Sequence, residues 1–448
     1  MNQTSRRNLF FLAVISVVHL AFYLLALHYK RIFNGDSFEY ILEAVNIKNS
    51  FFFYSGNAAL PHLDEYKTLR TPGYPFFLLL TYMVSINNWV VLFLQNIISI
   101  WNIAYFRKAT TALGYNIKYD WLLLLFIVSF PSQFIYANTI APDLLLQTFV
   151  LIYFGNAICF LKTKQTRHLT YMALALTVGL FIKPVLYPFA FVQFLALAIY
   201  AAVLKKNVRK TIMIASLPVV CILLYNSWNL TRTGKFHFTS IQSFNALYYY
   251  HNYIGGREGS AAAKAFMDTE RKKIRELRQF KERYDYAQHR GVELLRREFV
   301  PYLLYHLQMS SRFFIETGRG ELEMFTGRLT LGKLYENKSK SFKQELAESG
   351  ITGVTEYLRH NTSAIIALVV LLVNLVKVGG FVLFVFYSRH ERIIKWFVIL
   401  FIAYFALITG PISNAHYVLP VSLVIMGCAC IGYYALLAKK NNKGIITS

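Results

Sequence analysis

Residues 8–28 read NLFFLAVISVVHLAFYLLALH, an apolar run without Asp, Glu, Lys or Arg. Because a helix needs about 20 residues to cross the hydrocarbon core of a bilayer, this run predicts a membrane span. Further runs predict spans at 89–106, 120–137, 143–161, 169–182, 187–204, 211–228, 363–387, 396–410 and 418–437. The sequence therefore predicts an all-α polytopic membrane protein with about ten spans.

The composition of the whole chain agrees with this fold class. Of 448 residues, 56% are apolar and only 16% are charged, whereas about a quarter of the residues of a soluble domain are charged. The formal net charge is +24, from 47 Lys and Arg against 23 Asp and Glu, and it lies between apolar blocks rather than in a disordered tail. These values exclude an ordinary soluble protein, and we expect no nucleic acid partner.

The four cysteines give no sign of a redox or metal function. Cys159, Cys221, Cys428 and Cys430 all lie inside apolar runs, which argues against a disulfide framework and against a cysteine metal site. Arg6 and Arg7 before the first run would also suit a signal peptide, but no small-x-small cleavage site follows, which favours a retained first helix.

Basic residues near the span ends predict the orientation, because short loops rich in Lys and Arg stay cytoplasmic. The basic loops fall on one side of the membrane, at Arg6, Arg7, Arg107, Lys108, Lys118, Lys162, Lys164, Arg167, Lys205, Lys206, Arg209, Lys210, Arg389, Arg392, Lys395, Lys439, Lys440 and Lys443. Both termini are then cytoplasmic. The other side receives 29–88, 229–360 and the short turns at 138–142, 183–186 and 410–417.

The chain is therefore expected to have three parts. Residues 1–228 form a transmembrane core with the outer loop 29–88, residues 229–360 form a basic extracytoplasmic segment, and residues 361–448 hold the C-terminal transmembrane helices. Within the outer segment, 262–297 is expected to be helical and highly charged. The stretch 299–314 is amphipathic enough to lie in the membrane interface. The charged run is either a solvated face attracted to anionic lipid head groups or a direct contact with an anionic substrate.

Polar residues that suit chemistry follow the first span. Asp36 and Glu39 stand at i and i+3, and a short interfacial helix over Ser37–Asn46 would place Asp36 at its N-terminal end, where the helix dipole favours a carboxylate. Asp36 would then be a simple N-cap or a functional group. The motif Leu69-Arg70-Thr71-Pro72-Gly73-Tyr74-Pro75 follows, and the run 76–86 after it is too short to span. That run predicts a helix embedded in the outer leaflet.

Four later motifs stand in the same order as in a known superfamily: 136–143 (YANTIAPD), 180–184 (LFIKP), 228–236 (WNLTRTGKF) and 416–420 (HYVLP). Together with Asp36 and the Arg70 motif they resemble the GT-C superfamily of lipid-carrier-dependent glycosyltransferases. Within it, the resemblance is to bacterial relatives of dolichyl-phosphate-mannose protein mannosyltransferase and of the lipid A aminoarabinose transferase. The resemblance covers 1–260 and 361–437, and hardly covers 261–360.

This resemblance implies a GT-C-like helical bundle in the bacterial inner membrane, a polyprenyl-phosphate-linked sugar donor and a glycan, lipid or protein acceptor. Asp36 would be the catalytic carboxylate and Asp143 a second one, and the two could share a divalent cation. Substrate-binding residues would be Arg70, Tyr74, Lys183, His416 and Tyr417. In the family the position of His416 commonly carries Arg, so a phosphate contact does not carry over there.

Each of these residues also has an ordinary interpretation. Asp143 would be a first-turn partner of a helix dipole, Lys183 a side chain that snorkels to the interface, and Arg70 a surface charge. His416 and Tyr417 would be interfacial anchors. Lys377, inside the eighth predicted span, is costly in hydrocarbon and must face a cavity or snorkel.

Other function classes remain open at this point. A transporter or flippase would bind its cargo near the midplane of the membrane, whereas this chain places its ionisable cluster at the outer interface. A scaffold protein would explain the basic outer segment but not the ordered carboxylates and cations. A polymerase or ligase that uses a pyrophosphate-linked donor would share both the lipid carrier and the outer face.

Overall fold

The computed structural model describes residues 3–115, 120–205, 207–328, 350–352, 358, 361–412 and 414–444, and this part of the chain is helical without a β-strand. Its helices are α1 (Gln3–Tyr29), α2 (Ser37–Ser50), α3 (Gly73–Val84), α4 (Asn88–Thr110), α5 (Asp120–Val128), α6 (Pro131–Ala137), α7 (Asp143–Thr163), α8 (Thr166–Ile182), α9 (Tyr187–Leu204), α10 (Val208–Thr233), α11 (Asn245–Glu258), α12 (Ser260–Glu276), α13 (Phe280–Arg297), α14 (Phe299–Arg312), α15 (Arg319–Phe325), α16 (Thr362–Tyr387), α17 (Arg392–Thr409) and α18 (Ala415–Gly444). The predicted all-α fold class is confirmed.

Eight helices of the described residues are long and apolar enough to cross a membrane: α1, α4, α7, α9, α10, α16, α17 and α18. The prediction of a multi-pass integral membrane protein is therefore confirmed, but the predicted count of ten spans is too high. The predicted span 120–137 is the pair α5 and α6, bent by 64°. The predicted span 169–182 is α8, whose 17 residues give a length of only about 25 Å. Counting the bent pair as one span gives nine.

A proline stands at each of these two helix boundaries. Phe130 has φ −117° and ψ 80°, outside the α region that residues before a proline avoid. Pro131 then starts α6, where its missing N–H leaves no helical bond unmade. In the same way Lys183 is extended, with φ −151° and ψ 130°, before Pro184, and α8 ends there. Pro131 thus breaks an apolar run that hydropathy alone joins, whereas α8 ends at Ile182, where the predicted span ended.

The centre of the bundle is built on α7 and α18, which pack against each other and against α4. Polar side chains join α6, α7 and α18 inside the bundle. Gln133 of α6 and Gln147 of α7 exchange two hydrogen bonds of 3.0 Å, and Gln147 Nε2 also donates to the carbonyl of Leu419 in α18 at 2.8 Å. Because unsatisfied polar groups are costly in hydrocarbon, this network fixes the register of the three helices and therefore the positions of their outer ends.

Two short helices cover the end of the bundle that is predicted to face outward. The predicted helix after Asp36 is α2, which runs on to Ser50, and the predicted outer-leaflet helix is α3. Gly73 at the start of α3 lies so close to α8 that an added Cβ would stand 2.5 Å from the carbonyl oxygen of Phe181. Only glycine permits this approach, and it brings the Arg70 motif next to the turn at Lys183.

The described part of the outer segment consists of α11 to α15. The predicted charged helix 262–297 is two helices, α12 and α13, and the predicted amphipathic stretch is α14. Tight packing joins them, since a Cβ at Gly291 of α13 would meet Ala246 of α11 at 2.6 Å. Several sequence predictions lie outside the described residues: the basic positions Lys118 and Lys206, and 329–349, 353–357 and 359–360 of the outer segment.

Candidate active site

A cavity of about 220 Å³ lies where ends of α2, α8, α17 and α18 meet. Its walls come from five separate parts of the sequence and include most of the predicted site residues. The lining residues are Asp36, Tyr40, Leu69, Arg70, Thr71, Lys183, Pro184, Val185, Pro188, Ile241, Gln242, Asn245, Tyr249, Ile408, Thr409, Ile412, His416 and Tyr417. The fold thus brings together an acid, two cations and several aromatic rings.

Asp36 stands at the N-cap position of α2, as predicted, but its side chain does not cap the helix. Ser37 anchors the start of α2 instead, because its hydroxyl donates to the carbonyl of Ile140 at 2.7 Å. The Asp36 carboxylate accepts from Arg70 Nη2 at 2.8 Å, and its side chain remains 54% exposed at the cavity wall. Asp36 thus occupies the N-cap position without a side-chain capping bond, and its carboxylate is accessible to a ligand.

Arg70 is a buried cation rather than the surface charge of the alternative interpretation, with a side chain only 11% exposed. Its Nε donates to Glu39 Oε2 at 2.6 Å, and Nη2 contacts both Glu39 and Asp36. The guanidinium carbon lies 5.1 Å from the centre of the Tyr40 ring. Among the described residues Nη1 has no hydrogen-bond partner, so Arg70 keeps two N–H donors for an anion in the cavity.

The electrostatics of α2 follow from this pairing. Burial raises the pKa of Glu39, and the Arg70 charge opposes that rise. Burial also raises the pKa of the Tyr40 hydroxyl to about 12, so the ring stays neutral at physiological pH. For Arg70, burial favours the neutral form, but the acidic groups around it outweigh this and raise its pKa overall. The guanidinium is therefore a permanent positive charge at the cavity.

Lys183 and Asp143 form the second ion pair of the site, with Nζ and Oδ1 2.6 Å apart. Asp143 lies in the first turn of α7 and is only 2% exposed, so it stands behind Lys183 and does not line the cavity. Lys183 lines the cavity at the turn after α8, with its ammonium 5.0 Å from the centre of the Tyr417 ring. Its charge points inward instead of snorkelling away from the bundle.

His416 and Tyr417 begin the last span and complete the wall opposite Asp36. The His416 ring lies 5.9 Å from the ring of Tyr136 and 3.9 Å from that of Tyr417. A carboxylate of the outer segment holds this helix end, because Glu321 Oε1 accepts from the backbone N–H of Ala415 at 3.0 Å. Burial raises the pKa of Glu321 to about 7. The predicted roles of both rings in substrate binding stay predictions.

Tyr74 is the one predicted binding residue that the fold places away from the cavity. It is fully buried, its hydroxyl donates to Gln95 Oε1 at 2.7 Å, and its ring meets Tyr40 edge-on at 5.2 Å. Tyr74 thus packs against Tyr40 on the side away from the cavity, and its predicted direct contact with substrate stays a prediction.

Lys377 is also not among the residues that line the cavity. It is buried in α16, where its Nζ donates to Asn374 Oδ1 at 2.9 Å.

The predicted divalent cation site has little support in the geometry. Among the described residues, no group of three or more His, Cys, Asp and Glu side chains is placed to hold a metal ion. Asp36 and Asp143, the two predicted ligands, each have a basic side chain as partner instead. The predicted metal stays a prediction.

Sequence reasoning missed several residues of the site. Gln242, Asn245 and Tyr249 line the cavity from the outer segment, within the part that the family resemblance covers but outside its motifs. Glu43 lies two turns after Asp36 on α2 and is buried, and among the described residues the hydroxyl of Ser55 is its one hydrogen-bond donor, at 2.8 Å. Burial raises its pKa to about 8. The spacing of Asp36, Glu39 and Glu43 along one helix face was a usable signal for it.

No family model and no curated protein matches the chain. Among solved structures the chain is similar to ArnT from Cupriavidus metallidurans, both bound to undecaprenyl phosphate and in the apo state. The first match covers 96% of this chain and 79% of ArnT, with 12% identity and a TM-score of 0.40. The second covers 96% and 78%, with 11% identity and a TM-score of 0.40.

With a TM-score of 0.40 this likeness assigns neither residues nor a reaction. A function for this chain therefore has to rest on its own cavity.

Proposed function

We propose that this protein is an integral-membrane glycosyltransferase that moves a sugar from a polyprenyl-phosphate carrier to an acceptor hydroxyl on the outer face of a bacterial inner membrane. The observation that carries the proposal is the pairing of an accessible carboxylate, Asp36, with two cations, Arg70 and Lys183, in one cavity at the ends of membrane spans. The acceptor is a glycan, a lipid or a protein.

The proposed reaction needs one base and a cationic site. The acceptor oxygen attacks the anomeric carbon while the bond from that carbon to the phosphate oxygen breaks, and the bonding electron pair stays on the phosphate. Asp36 accepts the proton of the acceptor hydroxyl as the new bond forms. The phosphate is a stable anion, so the departing oxygen does not require a proton donor, unlike the leaving group in most glycoside hydrolysis.

The two cations have the complementary task of binding the carrier phosphate. Arg70 still has Nη1, and Lys183 uses one of its three donors on Asp143, so both retain donors for phosphate oxygens. Negative charge builds on the phosphate as the sugar departs, and fixed cations in a site with little water stabilise that charge strongly. The aromatic rings of Tyr40, His416 and Tyr417 form the remaining wall on which a sugar ring would lie.

The decisive experiment compares two carboxylates that share one arginine. Asp36→Asn and Glu39→Gln each remove a partner of Arg70, but only Asp36 lines the cavity. Purified variants in lipid nanodiscs would be given a polyprenyl-phosphate-linked sugar and candidate acceptors, and products would be followed by mass spectrometry. We expect Asp36→Asn to lose at least about a hundredfold in turnover, as for a missing general base, and Glu39→Gln to lose much less. Equal losses would mean that Asp36 only positions Arg70.

A further inference from the structure

A second concave surface lies on the outer segment, away from the cavity. It is formed by two adjoining hollows that share Val292 and Arg296. The first, of about 430 Å³, is mostly apolar and includes Leu295, Phe299, Leu303, Leu307 and Leu407. The second, of about 800 Å³, is a shallow and open basic face of α13 alone and includes His289, Arg290, Glu293 and Arg297. We name the two together the α13–α14 groove.

The apolar arm of the α13–α14 groove opens at the edge of the bundle. Phe299, Leu303 and Leu307 are 59%, 42% and 49% exposed on one face of α14. This helix rests on the last turn of α17, a span, where His306 Nε2 lies 2.8 Å from the carbonyl oxygen of Leu407. Since α17 ends two residues later at Thr409, the exposed face of α14 stands at the depth where the span leaves the membrane.

The basic arm carries uncompensated positive charge. Arg290 pairs with Glu270 and Glu293, and Arg297 pairs with Glu293, whereas Arg296, which borders both arms, has no ion pair or hydrogen bond among the described residues. Three arginines against Glu293 of the lining and Glu270 behind it leave a net +1. A basic mouth beside an apolar floor matches the two parts of an anionic lipid, a phosphate and an acyl chain.

We propose that the α13–α14 groove binds one anionic phospholipid of the surrounding membrane, with its phosphate at Arg296 and an acyl chain along α14. The site is separate from the transfer cavity and does not depend on the proposed transferase function. A free phosphate would occupy only the basic arm and leave Phe299 and Leu303 in water. A lipid covers both arms and seats the outer segment on the membrane surface.

Native mass spectrometry of the delipidated full-length protein in detergent tests the proposal. The protein is titrated with phosphatidylglycerol, with phosphatidylcholine, which has no net charge, and with glycerol phosphate, which has no acyl chain. One basic residue near a membrane surface favours anionic lipid by about fivefold, so the charge reversal Arg296→Glu should weaken phosphatidylglycerol binding by roughly thirtyfold. Lys281→Glu is the matched control, because Lys281 is exposed on the same helix and outside the groove.

We expect the wild-type protein to retain one phosphatidylglycerol in preference to phosphatidylcholine, and Lys281→Glu to bind it within about twofold of wild type. Leu303→Asn should weaken binding of both lipids, since it shortens the apolar floor. The proposal is overturned if wild type retains no lipid, if the two charge reversals have equal effects, or if glycerol phosphate binds as well as the lipid. Melting temperatures of the variants show whether any loss of binding merely reflects unfolding.

Discussion

Variants of the ion pair between Lys183 and Asp143 can distinguish a role of Lys183 in donor binding from its role in the stability of the fold. Lys183→Met keeps the length of the side chain but removes its charge, and it leaves Asp143 buried at 2% exposure without the cation that lies 2.6 Å away. Loss of one member of a buried pair typically costs about 3–5 kcal/mol of stability, because the other charge stays desolvated. The single variant is therefore expected to melt well below wild type, whatever the role of Lys183 in the reaction.

The effect on the donor has a different size and a different cause. A hydrogen bond to a charged group contributes about 1.5–3 kcal/mol, which corresponds to roughly 10- to 150-fold in affinity. If Lys183 holds the carrier phosphate, the apparent donor affinity of Lys183→Met should fall by that factor. The double variant Lys183→Met with Asp143→Asn removes both charges and should regain most of the lost stability while donor affinity stays low.

The assay is a donor titration with purified protein in detergent, together with a melting curve for each variant. Asp143→Asn alone is the matched control, since it keeps the cation in the cavity wall and should retain donor binding. Recovery of donor affinity in the double variant would refute the phosphate contact. Lys183 would then serve only to neutralise Asp143, and Arg70 would remain as the candidate for the phosphate.

Further expected outcomes concern stability, packing and topology. The pKa of Glu43 is about 8 in the fold against about 4.5 when unfolded, so wild type should lose stability as the pH rises from 4.5 to 8, by at most about 5 kcal/mol. Glu43→Gln should flatten this dependence in melting curves; an unchanged slope would contradict it. Gly73→Ala should cost about 1–3 kcal/mol, measured as a lower melting point, because its Cβ meets Phe181; no change would mean that α3 shifts freely. Cysteines placed at Ser260 and Arg389 should react with a membrane-impermeant thiol reagent from opposite sides, and labelling from the same side would refute the predicted topology.

Much of the fold follows from patterns that are local in the sequence. Apolar runs of about 20 residues locate the long helices, since a span must satisfy its backbone polar groups internally. Hydropathy does not reveal where the helix breaks inside an apolar run. The bend between α5 and α6 arises at Pro131, so hydropathy summed over a window gave one straight span where the backbone bends. The end of α8 before Pro184 agrees with the prediction, because the predicted span also ended at residue 182.

The site was predictable only in part because its members are far apart in sequence. The position of Asp36 at the start of a helix follows from local signals, but its choice of Arg70 over a capping bond depends on how α3 docks against α8. No local pattern in the sequence predicts that Asp143 pairs with Lys183, because 40 residues separate them. Burial of Glu43 depends on Ser55 and the loop after α2, which carries no periodic signal.

The bond from Glu321 to the start of α18 has a consequence for how the chain can be divided. The helix that carries His416 and Tyr417 is fastened to α15, although about ninety residues separate the two along the sequence. Hydropathy alone would divide the chain at residue 361, just before α16. This division would separate Glu321 of α15 from α18, the helix whose first residue it binds. A chimera built to exchange outer segments between relatives should therefore take α15 and α18 from the same protein. The helix that supplies His416 and Tyr417 to the cavity wall is held in place by a side chain of α15.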